Sequence, residues 1–264
     1  MTQVSVIGSG KIAELSIFAV IAAATLFLLW RAMKGKTVKL RHITMVDAIP
    51  DIVDRAVETG KPIHCGAGEY AYLSGMFTPM TIAGMNVLRY TTRLCFRKGA
   101  RIIAHVACNP EAFPLIDGIV REAAVAEGHP EKYNRDDIHW FGPTEQNWQG
   151  GLIADILSQG SAALIMVGAI TGRTIPAMGA THANGGVVMG GTARYMHNGS
   201  WAAMADYSLF SEDVYAAGAI TSNDPQVTSI QAAGDYVKFI LIALFAILAI
   251  ATVLGVPVTG WLSR

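Results

Sequence analysis

Apolar positions are distributed unevenly along this chain. They form an unbroken block near each end, and between the blocks they fall into short runs separated by amphipathic stretches. Residues 12–30 (IAELSIFAVIAAATLFLLW) carry one charge, Glu14, in 19 positions, and residues 239–258 (FILIALFAILAIATVLGVPV) carry none in 20. About 20 apolar residues in a helix cross the hydrocarbon core of a bilayer. The pattern therefore predicts two transmembrane helices, over residues 12–30 and 238–258. The first is followed by WRAMKGK, not by a small-residue cleavage site, and is expected to be retained. A third apolar stretch, residues 70–96, contains Arg89, Arg93 and a central Pro79. Charges at membrane depth are costly, so this stretch is expected to be a long core helix starting near Tyr70.

Between the anchors the pattern alternates. Short apolar runs at 62–65, 100–108, 138–141, 162–168, 187–190 and 207–211 read as strands. Helical stretches separate them: 47–59 with Gly60 past its end, 110–127 opened by Pro110, 144–159 with Thr144 as its cap, and 212–220. Residues 172–186 (GRTIPAMGATHANGG) read as a Gly-interrupted helix or loop. Apolar strands alternating with helices imply a mostly parallel sheet covered on both faces, wound by right-handed crossovers. The expected fold class is α/β, a Rossmann-like doubly wound sheet of about six strands. The expected organisation is a transmembrane helix at 12–30, a basic stem at 31–42, one α/β domain at 43–222, a polar connector at 223–237 and a transmembrane helix at 238–258.

Charge adds direction to this picture. Arg31, Lys34, Lys36, Lys39 and Arg41 follow the first anchor, against Lys11 alone before it. Basic flanks stay cytoplasmic. The expected location is the cell membrane, crossed twice, with the α/β domain in the cytoplasm and both termini outside. The 20 basic and 20 acidic residues cancel, which gives no electrostatic case for nucleic acid. Three cysteines, Cys65, Cys95 and Cys108, are too few for a disulfide framework and read as free thiols.

In a doubly wound sheet, ligands bind beyond the carboxyl ends of the strands. The residues expected there are His64, Cys65, Gly66, Gly68 and Glu69 after the first strand, and His105 and Cys108 after the second. Gly168 and Thr171 follow the fourth, Gly190, Gly191 and Thr192 the fifth, and Ser211 and Glu212 the sixth. The turn HCGAGE lets the backbone approach a ligand, and free amides at a following helix attract an anion. Gly66, Gly68, Glu69, Gly190, Gly191 and Thr192 are the expected ligand-binding residues. The turn is not a full GxGxxG, and it equally suits a plain tight turn whose Glu69 compensates the helix dipole. His64, Cys65, His105 and Cys108 are weak metal candidates. Alternation along a strand sends His64 and Cys65 to opposite faces, and no metal is expected. Cys95, Trp140, Trp148 and Trp201 read as core or interface residues. The glycine-rich stretch with His182 and His197 reads as a ligand loop, a subunit contact or a plain connection. No G-x-S-x-G elbow specifies an acyl-transfer nucleophile.

The order PIHCGAGE, TPMTIAGMNVLRYTTRLC, RIIAHVACNPEAFPLIDGIVREA, EGHPEKYNRDDIHWFGPTEQNWQGGL, AALIMVGAI, GVVMGGTA and ADYSLFSEDVYAAGAI resembles a domain-of-unknown-function family of bacterial and archaeal membrane-associated proteins. The resemblance covers roughly residues 43 to 245. It implies a Rossmann-like domain held by membrane helices and transfers no catalytic residue or cofactor. Two functions follow as expectations. The first is a non-enzymatic, membrane-anchored scaffold that self-associates or organises other membrane proteins. The second is a membrane-tethered enzyme or sensor that binds a nucleotide-like or other anionic small ligand at the strand ends. A channel is disfavoured, because the spans lack polar residues to line a pore.

Overall fold

A computed structural model describes residues 12–34 and 40–254. The chain divides into two compact units, residues 41–223 and residues 1–40 with 224–264. The elements run α1 (Ile12–Met33), α2 (Thr44–Thr59), β1 (Ile63–Gly68), α3 (Thr78–Lys98), β2 (Ile102–His105), α4 (Ala112–Ala126), β3 (Ile138–His139), α5 (Glu145–Gln159), β4 (Ala163–Ala169), α6 (Ile175–Ala183), β5 (Val187–Thr192), α7 (Asn198–Met204), β6 (Tyr207–Phe210), α8 (Asp213–Ser222) and α9 (Pro225–Val253).

Six strands form one sheet in the order β3-β2-β1-β4-β5-β6, and every pairing is parallel. This is the strand order of doubly wound, dinucleotide-binding sheets. One face, with Cys65, Ile165 and Val167, packs against buried residues of α2, α3, α4 and α8. The other, with Leu164, Met166 and Val188, packs against Trp148, Leu152 and Ile156 of α5, Met178 of α6 and Trp201 of α7. Burial on both faces is why these strands read as continuous apolar runs.

Two glycines set the depth of the first layer. A Cβ on Gly84 of α3 would stand 2.1 Å from the carbonyl oxygen of Val167, so this helix lies directly on the sheet. A Cβ on Gly218 of α8 would stand 2.5 Å from Cα of Ala83. Helix ends follow local chemistry. Gly60 and Gly99 adopt left-handed backbone at the ends of α2 and α3, where a side chain would be strained. Thr144 caps α5 by accepting from the backbone N–H of Asn147.

Three expectations change. The long helix begins at Thr78, not near Tyr70, because Pro79 takes the first turn, where its missing N–H costs nothing. Residues 69–77 are instead a loop with one 3-10 turn at Gly75–Phe77. Residues 175–183 are a regular helix, with Pro176 in its first turn. The connector expected at 223–237 is helical from Pro225 and runs unbroken into the second apolar block.

In the second unit α1 and α9 pack against one another. Among the described residues, one helix is long and apolar enough to cross a membrane: α9, 29 residues long. The apolar part of the first helix, Leu15–Arg31, is shorter. The far end of the expected second span, residues 255–258, and residues 35–39 of the basic stem lie outside the described residues.

Candidate functional site

In this strand order the chain leaves β1 toward β2 and leaves β4 toward β5. The connections after β1 and β4 therefore diverge, and this is the switch point at whose carboxyl ends doubly wound sheets have their ligand crevice. Glu69, the first residue past β1, stands in that crevice with its side chain fully buried. Its backbone is fixed on both sides: its N–H donates to the Ala169 carbonyl at 3.1 Å, and its carbonyl accepts from the Cys108 N–H at 3.0 Å. Gly68 allows this turn with φ at +102°, a conformation other residues rarely adopt.

The Glu69 carboxylate is held asymmetrically. Oε2 accepts from the hydroxyl of Thr171 at 2.5 Å and from its backbone N–H at 3.1 Å. Oε1 is buried with no hydrogen-bond donor. The nearest cation, Arg173, keeps its Nε 3.9 Å from Oε1 and commits its Nη1 to Glu145 at 2.5 Å. The Tyr70 hydroxyl also donates to Glu145. Burial raises the Glu69 pKa, and the Thr171 hydrogen bonds oppose that rise. The Tyr70 hydroxyl is pushed up by burial and by its bond to Glu145.

Neighbouring loops are tied to this point. The Asn109 side chain accepts from the Ala71 N–H at 3.1 Å and donates to the Ala71 carbonyl at 2.8 Å, tying the loop after β2 to the loop after β1. The Arg194 guanidinium lies 5.4 Å from the Phe77 ring centroid and 6.0 Å from that of Tyr70. Tyr72, Leu73, Met76, Tyr195 and Met196 leave these loops exposed and apolar. Cys108 adjoins the site, but burial and then the charges of Glu69 and Glu145 push its thiol up to about 11. A thiol at that value is not a nucleophile near neutrality.

The six residues expected to bind ligand are thus dispersed. Gly68 and Glu69 lie at the crevice. Gly66 lies inside β1, where a Cβ would meet the Met166 sulfur at 2.8 Å. Gly190 and Gly191 lie inside β5, where Cβ atoms would stand 1.8 Å from the Met166 oxygen and 1.9 Å from the Leu209 oxygen. Their glycine identity follows from strand packing. Thr192 accepts from the N–H groups of Ile170 and Arg194, at 3.4 and 3.2 Å, and so orders both loops. Ser211 and Glu212 lie past the far strand β6.

The weak metal candidates separate. Cys65 points to the α3 face, where burial raises its thiol to about 12, and Cys108 lies beyond β2 in the other core layer. Neither joins the histidines. His64 and His105 do meet, with His64 Nδ1 2.9 Å from His105 Nε2. Register explains the meeting: His105 pairs with Gly66, two residues past His64, and with His139 of β3. All three imidazoles therefore share the face under α5, where Asp155 contacts His139 Nδ1. His64 Nε2 is bonded to the Gly160 carbonyl at 2.8 Å, and His139 Nε2 to the Asp136 carbonyl at 2.7 Å. The Phe141 ring stacks on His105 at 5.9 Å and fills the space left by Gly151, where a Cβ would stand 2.0 Å from it. Burial, above all, lowers the pKa of His64 and His105.

Sequence reading missed Tyr70, Glu145 and Arg173 at the crevice and His139 and Asp155 under α5. One signal for the second group was available. Asp155 follows the buried stripe of Trp148, Leu152 and Ile156 on α5, and an acid on a core-facing stripe needs a partner.

The sheet order and the acid at its switch point define a Rossmann-like α/β protein. A family model described as a domain of unknown function, DUF6754, matches residues 2–260, and the chain belongs to that family. Comparison with the curated proteins and with the solved structures returned no match.

Proposed function

We propose that this protein is a membrane-anchored binding protein whose α/β domain holds a small, hydrogen-bond-donating molecule at the switch point. One observation carries this reading: Glu69 Oε1 is buried without a donor while Oε2 has two. A buried carboxylate oxygen costs free energy until something donates to it. An amine, amide or hydroxyl would supply that donor. A phosphate would not, because Glu69 and Glu145 both face the crevice and Arg173 is already engaged by Glu145. The reading keeps the strand-end location but replaces an anionic ligand by a neutral or cationic one. Both apolar ends serve as anchors, with the α/β domain on the side marked by the five basic residues after Trp30.

The test uses the full chain in detergent micelles. Thermal unfolding is followed with adenosine, a monosaccharide, spermidine or ATP, for the wild type and Glu69→Gln. The expected result is a rise in Tm with at least one uncharged or cationic probe, none with ATP, and loss of the rise in the variant. A shift with ATP alone, no shift with any probe, or a shift that survives Glu69→Gln overturns the reading.

A second reading, an assembly scaffold, is favoured by the exposed apolar residues Tyr72, Leu73, Met76, Tyr195 and Met196 around the same crevice. Apolar clusters of this kind mark contact surfaces. Crosslinking in native membranes tests it. Higher-order bands that vanish in a Met76→Asp, Tyr195→Asp double variant support it, and a strictly monomeric band rejects it.

A further inference from the structure

We infer that His105, His139 and Asp155 form a binding site for one divalent transition-metal ion, with zinc the best chemical match. The site lies on the sheet face beneath α5 and is separate from the Glu69 crevice. It does not depend on the function proposed for that crevice.

Hydrogen-bond bookkeeping on the three imidazoles leads to this conclusion. A backbone carbonyl can only accept. His64 therefore carries a proton on Nε2, which faces Gly160, and His139 carries one on Nε2, which faces Asp136. A neutral His64 then offers a lone pair at Nδ1, and His105 Nε2 donates to it across 2.9 Å. Each ring has now spent one nitrogen as a donor. What remains, with each ring neutral, is a lone pair on Nδ1 of His105 and one on Nδ1 of His139, together with a carboxylate oxygen of Asp155.

These three acceptors converge. His139 Nδ1 contacts Asp155 Oδ2, His105 Nδ1 lies 3.9 Å from the same oxygen, and one donor atom from each residue lies within 4.8 Å of the others. Converging lone pairs repel unless a proton or a metal ion lies between them, and a single proton shared by His139 Nδ1 and Asp155 Oδ2 would still leave His105 Nδ1 without a partner. His105 Nδ1 also stands as an independent sign. It is completely buried, has no hydrogen-bond partner, and faces this cluster. A buried nitrogen without a partner calls for one.

The surrounding contacts match what a metal site requires. Ligand histidines usually donate their other N–H to a carbonyl or another acceptor, which fixes the tautomer and the ring orientation. His139 does this through Asp136 and His105 through His64, which is itself pinned by the carbonyl that ends α5. Zinc bonds of about 2.0–2.2 Å separate two ligands of a tetrahedron by roughly 3.4 Å. The 3.9 Å between His105 Nδ1 and Asp155 Oδ2 is near that spacing, while the closer His139–Asp155 pair would open on binding the ion. Two nitrogens and one carboxylate oxygen suit zinc and its borderline neighbours better than magnesium or calcium, which take oxygen ligands. Three protein ligands leave one position open, as in zinc sites that keep a water. Asp155 and His139 are 14% and 20% exposed on their side chains, so the open position has a route to solvent.

The experiment uses the full chain in detergent, treated with chelator and then titrated with cobalt(II) as a spectroscopic stand-in and with zinc(II) by calorimetry. Expected are one ion per chain and the visible absorption of four- or five-coordinate cobalt. His139→Ala and Asp155→Asn, both on partly exposed residues, should each weaken zinc binding more than 10-fold, while far-UV circular dichroism stays unchanged. His182→Ala is the control, because His182 also pairs with an acid, Asp206, but on the surface. Absence of a cobalt spectrum, or binding that is equal in the wild type, His139→Ala and Asp155→Asn, overturns the proposal. So does binding that falls only in His182→Ala.

Discussion

Thr171 donates twice, through its hydroxyl and its backbone N–H, to a single oxygen of Glu69 across 102 residues of sequence. The pair joins the ends of β1 and β4 where the sheet changes direction. Thr171→Val keeps the shape and removes the hydroxyl donor. It leaves a buried carboxylate oxygen with one fewer partner, which costs about 1–3 kcal/mol. In a domain of this size each kcal/mol corresponds to roughly 2–4 °C. A Tm unchanged in differential scanning fluorimetry would show that the bond contributes little.

Glu127 offers a pH-dependent prediction. Arg97 and Arg93 each bond its carboxylate, at 2.8 and 2.7 Å, and they hold its pKa down at about 2, Arg97 contributing most. A folded pKa below the unfolded value stabilises the protein above the unfolded value, about 4.3 for Glu. That stability disappears as pH falls toward about 2. Glu127→Gln should therefore lower Tm near neutrality, and the gap to wild type should shrink between pH 4.5 and 2. A gap that is constant with pH would assign the loss to packing.

Glycine substitutions should divide sharply. Gly190→Ala puts a Cβ 1.8 Å from the Met166 oxygen at φ +137°, and Gly151→Ala puts one 2.0 Å from the Phe141 ring. Overpacking costs typically about 1–3 kcal/mol, and backbone strain adds to the first. Gly118→Ala in α4 meets nothing within 4 Å and should stabilise by about 0.5–1 kcal/mol through helix propensity. Denaturant midpoints of the three variants check the order.

On the proposed topology both termini face outward. Ser5→Cys and Ser263→Cys should react with a membrane-impermeant thiol reagent in intact cells, and Ser158→Cys only after permeabilisation. The native thiols Cys65, Cys95 and Cys108 are buried, so the background should be low. Labelling of Ser158→Cys in intact cells would reverse the orientation.

The sheet was legible in the sequence because its central strands β1, β2 and β4 are buried on both faces, which leaves apolar runs that polar loops cannot imitate. Helix starts were less legible. Pro79 reads as an interruption until its place in the first turn is known, and Asp224 with Pro225 reads as a linker although the two begin α9. Glu69 was legible as the residue after β1. Its partners Glu145 and Arg173 were not, because they come from the first turn of α5 and the turn before α6 and meet only through the crossovers. His64, His105 and His139 each interrupt an apolar strand, and that repetition was readable. The contribution of Asp155 depends on the rotation of α5, which only packing determines.

The two margins of the sheet have a consequence for how copies of this protein can meet. β3 has two residues and β6 has four, so neither offers a long row of unsatisfied amides and carbonyls to a neighbouring chain. Short borders of this kind guard against runaway strand pairing. On the proposed membrane anchors, copies that meet would recognise one another through helices and loops, whose side chains select a particular neighbour, and not through backbone, which accepts any.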